Sequence, residues 1–260
     1  MSERSILRSV AVPTEHGGWG LTLEPVLLGL IVASSGAGAL LGLAAFIGFV
    51  ARTPLKVMLV DRSRDRRLHR TDVAAQLFTV ELLVLVVLVL GAARLGDGPF
   101  WAPLLVAAPL VLVELWFDMR SRSRRLLPEL AGSIGIASTV AMIVLADGGS
   151  ARLAVGLWVI LAARSITSIP FVRAQVGLLH GNTGDPRTLL AADLVAIGLA
   201  VVGTLLDPSL LAGAVTIAAI VAFQRVGAQR PVPRATVVGI RQMVLGLVLV
   251  ATTSAGVLAS

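Results

Sequence analysis

The sequence predicts an all-α integral membrane protein that forms a single transmembrane domain over residues 1–260. Hydrophobic residues make up 56% of the chain and charged residues only 14%, a balance that soluble domains rarely reach. The long apolar runs extend for about 18–22 residues, the length that an α-helix needs to cross a bilayer. A β-barrel would instead show short alternating strands, and the sequence has no such pattern.

The first four predicted spans lie at 20–36, 39–60, 73–93 and 100–117. The segments that end them are SSGAGA, DRSRDRRLHRTD, RLGDGPF and DMRSRSRRLLPE, each rich in glycine, charge or both. Such segments interrupt an apolar helix, since glycine is a poor helix former and charge avoids the hydrocarbon.

Five further spans are predicted at 129–147, 153–176, 188–206, 209–225 and 235–257. Between them lie ADGGSAR, the long polar stretch RAQVGLLHGNTGDPR, the short turn LDPS, and QRVGAQRPVPR. The pattern therefore predicts nine transmembrane helices in total.

Basic residues are concentrated in every second linker, and this alternation predicts the topology. With the N-terminus in the cytoplasm, 19 of the 22 Lys and Arg residues fall at the cytoplasmic face; Arg94 and Arg152 fall on the other side and Arg164 within a span. Cytoplasmic loops carry such an excess of Lys and Arg. We therefore expect the N-terminus inside, the C-terminus outside, and location in a bacterial inner membrane, with membrane lipids as neighbours.

Several charged residues lie inside the predicted spans, where charge is costly and often functional. They are Glu24, Glu81 and Arg164, together with Arg52 and Lys56 near the end of span 2 and Glu114 and Asp118 near the end of span 4. The structural alternative is ion pairing within the bundle, or for Arg52 and Lys56 extension of the side chain to the headgroups. In span 6, RSITSIP adds further polar groups and predicts a polar lining.

The segment PTEHGGWGLTLEPVLLG brings polar residues to the start of the first span. Trp19 suits the membrane interface, but His16 and Glu24 are not needed there, and we interpret them as bordering a cavity that faces the cytoplasm. The segment resembles the opening motif of the YwiC-like family of bacterial membrane proteins. ARTPLK and RSITSIPFVRAQV, which carry Arg52, Lys56 and Arg173, resemble later blocks of that family. The resemblance implies a polytopic membrane protein and no particular reaction.

The predicted architecture is also similar to the UbiA-type intramembrane prenyltransferases. Those enzymes carry aspartate-rich loops after helices 2 and 6, which hold Mg²⁺ against an isoprenyl diphosphate. By this resemblance Asp61, Asp65 and Asp185 are the candidate Mg²⁺ ligands, since Mg²⁺ prefers oxygen ligands. The sequence departs from that family at Val57 and Met58, where its first motif would begin. The alternative interpretation of Asp61 and Asp65 is charge balance in an arginine-rich loop.

Three functions remain open from the sequence. The first is binding or processing of an isoprenoid or phospholipid-like ligand in a cytoplasm-facing cavity. Its site would comprise His16, Glu24, Arg52, Lys56, Asp61, Asp65, Arg164, Arg173 and Asp185. The second is a transporter in which Glu24, Glu81 and Arg164 line a path. The third is a tightly packed, non-catalytic membrane scaffold. Nucleic-acid binding is not expected, because the sequence has no tyrosine and few other aromatics among its basic loops.

Overall fold

The computed structural model describes residues 16–66, 68–120, 125–182, 184–229 and 231–260, together with Leu7, Val10, Ala11 and Pro13. Nine long α-helices fill this part of the chain. They are α1 (His16–Val32), α2 (Gly36–Ser63), α3 (His69–Leu95), α4 (Trp101–Met119), α5 (Leu126–Ala146), α6 (Ala151–Leu179), α7 (Pro186–Leu206), α8 (Leu211–Ala228) and α9 (Ala235–Leu258). A short 3₁₀ turn, Pro208–Leu210, precedes α8.

The helices confirm the predicted polytopic membrane fold. Eight helical segments are long and apolar enough to cross a bilayer, and Gly17–Val32 forms a shorter apolar helix. Every predicted span corresponds to one helix, with ends that differ by a few residues. The largest difference in the first half of the chain is at α1, which spans His16–Val32 where residues 20–36 were predicted. Gly36 instead begins α2, with Ser35 as its N-cap.

Helices α5 and α6 lie at the centre of the bundle and are largely buried. Helix α1 packs against α5 and α9, while α2 packs against α3 and α5. On the other side, α7 packs against α6 and α8, and α9 closes the bundle against α8 and α1. Helices α3, α4 and α7 expose long rows of Leu and Val, as expected for surfaces that face lipid tails.

The start of α1 is helical from His16, so the glycine-rich stretch belongs to the first helix. Gly18 lies beneath the Phe49 ring of α2, where any side chain would overlap that ring. Trp19 packs edge-on against the same ring at a centroid distance of 5.1 Å. The glycine–tryptophan pair therefore fixes α1 against α2 as well as suiting the membrane interface.

The half of the bundle farther from the arginine-rich loops is tightly packed and apolar. Ile143 of α5 is fully buried and meets two glycines, Gly29 of α1 and Gly38 of α2. Small residues let membrane helices approach closely, and van der Waals packing then holds them together. This contact joins three helices at the apolar end of the bundle.

We expect Gly29→Ala to lower the stability of the bundle. A methyl group at Gly29 would lie 2.9 Å from Ile143 Cβ, which is too close, so α1 and α5 must separate at a cost of about 1–3 kcal/mol. Gly20→Ala in the same helix is the matched control, because a methyl group there meets nothing within 4 Å. Thermal unfolding in detergent should show Gly29→Ala less stable and Gly20→Ala unchanged or slightly more stable; equal melting temperatures would contradict the packing account.

Candidate functional site

A chain of polar side chains runs through the bundle between α1 and α8. Its members come from four helices and are mostly buried: Glu24 of α1, Arg164, Thr167 and Ser168 of α6, Asp193 of α7, and Gln224 and Arg225 of α8. Polar groups in the hydrocarbon region are costly unless they are paired. This row of side chains, called the polar chain below, is therefore the strongest candidate for a functional site in the described residues.

Arg164 forms the deep end of this chain. Its side chain is 3% exposed and lies 3.9 Å, from Nη2 to Oε1, from Glu24, whose side chain is 7% exposed. Nη2 donates to the main-chain oxygen of Gln242 in α9 at 2.7 Å, and Nη1 donates to the Ser168 hydroxyl. The Glu24–Arg164 pair and its hydrogen bonds thus connect α1, α6 and α9.

The chain continues from Ser168 towards the other helices. The Gln224 amide donates to Ser168 Oγ at 3.2 Å and lies 3.0 Å from Thr167 Oγ1. Thr167 donates to Asp193 Oδ1 at 2.7 Å, and Arg225 Nε donates to Asp193 Oδ2 at 2.5 Å. Each polar side chain therefore contacts the next one without interruption.

The two ends of the chain lie at different depths. Arg225 is in the last turn of α8, and its side chain is 38% exposed. Arg164 lies 15 residues before the end of α6, which places it about 22 Å along the helix axis from that end. The polar chain therefore runs from the end of the bundle that carries the arginine-rich loops to about its middle.

A surface crevice opens at the shallow end of the chain. It is lined by three apolar residues and by three members of the polar chain. The apolar residues are Phe171, Leu189 and Ala228, and the members of the polar chain are Asp193, Gln224 and Arg225. Asp193 and Arg225 therefore line a small opening at the surface, where the Arg225 side chain is 38% exposed.

Arg52 and Lys56 belong to a second charged cluster, between α2 and α4. Arg52 donates to both oxygens of Asp118, with Nε to Oδ2 at 2.9 Å and Nη2 to Oδ1 at 3.3 Å. Its Nη1 lies 2.8 Å from Glu114, and Lys56 Nζ lies 3.2 Å from Asp118. The Asp118 side chain is fully buried. These four residues pair with one another and fasten α4 to α2.

Asp61 holds the loop between α2 and α3. Arg70 donates to both of its oxygens, with Nε to Oδ2 at 3.1 Å and Nη2 to Oδ1 at 2.7 Å, and Thr71 donates to Oδ2 at 2.7 Å. Asp65 lies in the intervening turn with a φ of 50°, a left-handed conformation that Asp tolerates better than most residues. Asp61 thus accepts hydrogen bonds through its carboxylate, whereas Asp65 supplies the left-handed backbone conformation of the turn.

Arg173 and Asp185 lie elsewhere at the same end of the bundle. Arg173 Nη1 donates to Glu129 Oε2 at 2.9 Å, in a pair that is partly exposed. Asp185 caps α7 by accepting from Thr188 and Arg187. These hydrogen bonds hold the pKa of Asp185 below its ordinary value. The bond from the Thr188 side chain has the largest effect, and the bond from the Arg187 backbone has the next largest.

The residues predicted to hold Mg²⁺ do not fit a metal site in this structure. Asp61 is occupied by Arg70 and Thr71, and Asp185 by the start of its own helix. No group of three or more His, Asp and Glu side chains suited to a metal is present among the residues that the structure describes. In addition, α2 and α3 make no substantial contact with α6 and α7 within those residues, so the helices that flank the two aspartate loops are not neighbours.

Glu81 lies apart from the Glu24–Arg164 pair. It is buried in α3, which packs mainly on α2, and its Oε2 has no hydrogen-bond partner among the described residues. The three charges predicted to line one path are therefore not assembled. The side chain of His16 and the whole of Glu15 lie outside the described residues.

Asp193, Gln224 and Arg225 of the polar chain were not among the predicted site residues. Gln224 and Arg225 stand in the sequence VAFQRVG at the end of a predicted span, where such residues usually mark the membrane boundary. Two adjacent polar residues before a linker gave a weak signal, whereas the RSITSIP stretch on α6 supplies three members of the polar chain, Arg164, Thr167 and Ser168.

The comparisons with known proteins agree with the sequence motifs. The family model described as YwiC-like protein matches residues 12–144, about half of the chain and all of α1 to α4. A search of curated proteins and a search of solved structures each returned no match, so the UbiA-like architecture stays a prediction. Glu24 and the Arg52–Asp118 cluster lie inside the matched region, whereas Arg164 lies beyond it. On this match, the chain is a membrane protein that belongs to the YwiC-like family.

Proposed function

We propose that this protein is a membrane transporter whose charged centre is the Glu24–Arg164 pair. The observation that carries the proposal is the uninterrupted polar chain from the crevice at Arg225 to Arg164 in the middle of the bundle. A transporter needs a polar site near the bilayer midplane that is reachable from one side at a time. Here the polar chain opens towards the arginine-rich, predicted cytoplasmic end.

The packing beyond the centre supports the same function. Residues 137–146 of α5 are all buried, and most of them are apolar. The polar chain therefore ends at a closed apolar barrier, an arrangement that suits a transporter facing the cytoplasm. Opening the other side would require α5 to move relative to α1 and α2, which contact it through Gly29 and Gly38.

The scaffold alternative is less well supported by the buried charges. A scaffold should pair every buried polar group, because each unsatisfied one lowers stability. Within the described residues, Arg164 Nε and Glu81 Oε2 are buried without a hydrogen-bond partner. Each buried unsatisfied group calls for an explanation, and a functional role is the one that the transport proposal supplies.

The lipid-processing hypothesis gains no support from the geometry. Its phosphate-binding residues Arg52 and Lys56 are engaged by Asp118, and its metal ligands are dispersed. Glu24 and Arg164 are the predicted site residues that the transport proposal retains.

Uptake by proteoliposomes tests the proposal. Liposomes that contain the purified protein are given a pH gradient, acid outside, and an aqueous extract of small metabolites, and their contents are measured by mass spectrometry. We expect at least one compound to accumulate with the wild-type protein and not with Glu24→Gln.

The matched control for uptake is Glu129→Gln, which removes a carboxylate from a partly exposed pair outside the polar chain. It should accumulate the same compound as wild type. Contents identical to those of empty liposomes in every sample would reject transport of the metabolites tested and with it the proposal.

Cysteine labelling tests whether the route opens to the cytoplasm, and the chain has no natural cysteine to interfere. Ser168→Cys places a thiol on the polar chain, and Ser138→Cys places one in α5, where the native hydroxyl bonds only to Gly135 O of its own helix. Both sites are buried and lie about 17 Å from the arginine-rich end of their helices.

We expect a membrane-impermeant maleimide to label Ser168→Cys in inverted vesicles at least about tenfold faster than Ser138→Cys, because polar surroundings admit water and ionise the thiol more readily. Intact cells should give little labelling of either. Equal rates for the two variants, or faster labelling of Ser168→Cys from outside, would contradict a cytoplasmic route.

A further inference from the structure

Two arginines of this protein bind carboxylates through the same edge of the guanidinium group. Arg52 uses Nε and Nη2 on the two oxygens of Asp118, and Arg70 uses Nε and Nη2 on those of Asp61. This two-pronged arrangement matches the spacing of the carboxylate oxygens and is the strongest pairing available to arginine.

Arg164 has the same edge but does not use it in this way. Its Nη2 donates to the Gln242 main-chain oxygen, and its Nε has no hydrogen-bond partner among the described residues although the side chain is 3% exposed. Glu24 Oε1 is 3.9 Å from Nη2, too far for a hydrogen bond. The most deeply buried cation of the described chain is therefore only partly satisfied by its own carboxylate.

Glu24 is held beside the arginine by the shape of α9. Its carboxylate fits against Gly246, where any side chain would overlap Oε1. Glu24 thus supplies a countercharge while the Nε edge of Arg164 remains unpartnered. A second carboxylate can accept a hydrogen bond from Nε of Arg164 while the Glu24 carboxylate stays in contact with Gly246.

We propose that Arg164 binds the carboxylate of a small water-soluble anion through Nε and Nη2, and that the negative charge of Glu24 weakens this binding. The inference rests on the proposed transport function and names the class of solute. The polar chain fits an anionic solute, since Arg225, at the entrance, has a buried Nη2 that is also without a partner in the described part of the chain. The nearby negative charge of Glu24 limits affinity, which suits a site that must release its solute.

The test uses acetate as the probe and thermal unfolding of the full-length protein in detergent as the readout. Sodium acetate is titrated against sodium chloride at constant ionic strength. We expect acetate to raise the melting temperature of the wild-type protein in a saturable way, because a ligand that binds only the folded state stabilises it.

Two variants locate the effect. Glu24→Gln removes the negative charge and should lower the half-saturating acetate concentration about fivefold or more. Arg164→Lys keeps the positive charge but loses the two-pronged edge, and should abolish the saturable response. Arg70→Lys is the matched control, because it changes the same kind of edge at Asp61 and should respond like wild type.

Several outcomes would overturn the proposal: no saturable response to acetate, an unchanged response in both Glu24→Gln and Arg164→Lys, or a response that Arg70→Lys also loses. A lipid headgroup could present the same chemistry, so phosphatidylglycerol is added in a parallel arm. Stabilisation of wild type but not Arg164→Lys by phosphatidylglycerol, with none by acetate, would also reject a water-soluble anion.

The result separates this inference from the proposed function. Acetate binding at Arg164 without uptake of any metabolite would refute transport and leave the anion site standing. Uptake of only neutral or cationic compounds would support transport and refute the anion site.

Discussion

Replacing Arg164 with methionine is expected to lower the free energy of unfolding by about 3–5 kcal/mol, the typical cost of leaving a buried charge without its partner. Methionine preserves much of the length of the side chain, so the loss comes mainly from Glu24, which is 5% exposed and would keep no countercharge. The hydrogen bonds to Ser168 and the Gln242 carbonyl are lost as well. The change is measured by denaturant unfolding in mixed micelles, followed by tryptophan fluorescence.

Trp158 makes fluorescence a suitable signal, since its indole donates to Ile134 O at 2.8 Å between α6 and α5. A double-mutant cycle with Glu24→Gln isolates the pair. Glu24→Gln combined with Arg164→Met should cost less than the two single changes added together. Additive costs would show that Glu24 and Arg164 do not interact, and would remove the centre on which the proposed function depends.

The nine helices were predictable because their determinants are local in sequence. An apolar run of sufficient length must form a helix to satisfy its backbone in lipid, and a basic linker marks one side of the membrane. The same locality identified Glu24 and Arg164 as residues that need partners. That these two pair with each other was not predictable, since it depends on α1, α6 and α9 meeting in the bundle, and hydropathy does not specify which helices are neighbours.

The predicted Mg²⁺ site rested on a resemblance and not on local determinants of this kind. Asp61 and Asp65 lie four residues apart, but α2 ends between them at Ser63, so the two carboxylates do not share one helical face. Asp61 instead accepts from Arg70 and Thr71 in the first turn of α3. In an arginine-rich loop, charge balance was the simpler interpretation, and for Asp61 the contacts agree with it. Gln224 and Arg225 were missed because polar residues at the end of a span usually face the headgroups.

The second large effect is expected from Asp118→Asn, which should lower the free energy of unfolding by about 3 kcal/mol. Asp118 is fully buried and receives Arg52 through two hydrogen bonds, with Lys56 Nζ at 3.2 Å. Asparagine has the same shape but no charge, so two cations lose their common anion. Arg52 and Lys56 are partly exposed, at 21% and 31%, and can regain some hydration, which limits the loss relative to Arg164→Met.

Glu129→Gln is the control for Asp118→Asn, because it neutralises an acid at the same end of the bundle in a pair that is 34% and 39% exposed. Exposed pairs contribute little, so this change should cost less than about 1 kcal/mol. Both variants are compared by the same unfolding assay. Equal costs would mean that burial does not set the strength of these ion pairs. The Arg52–Asp118 cluster would then no longer explain how α4, which faces lipid over much of its surface, stays attached to α2.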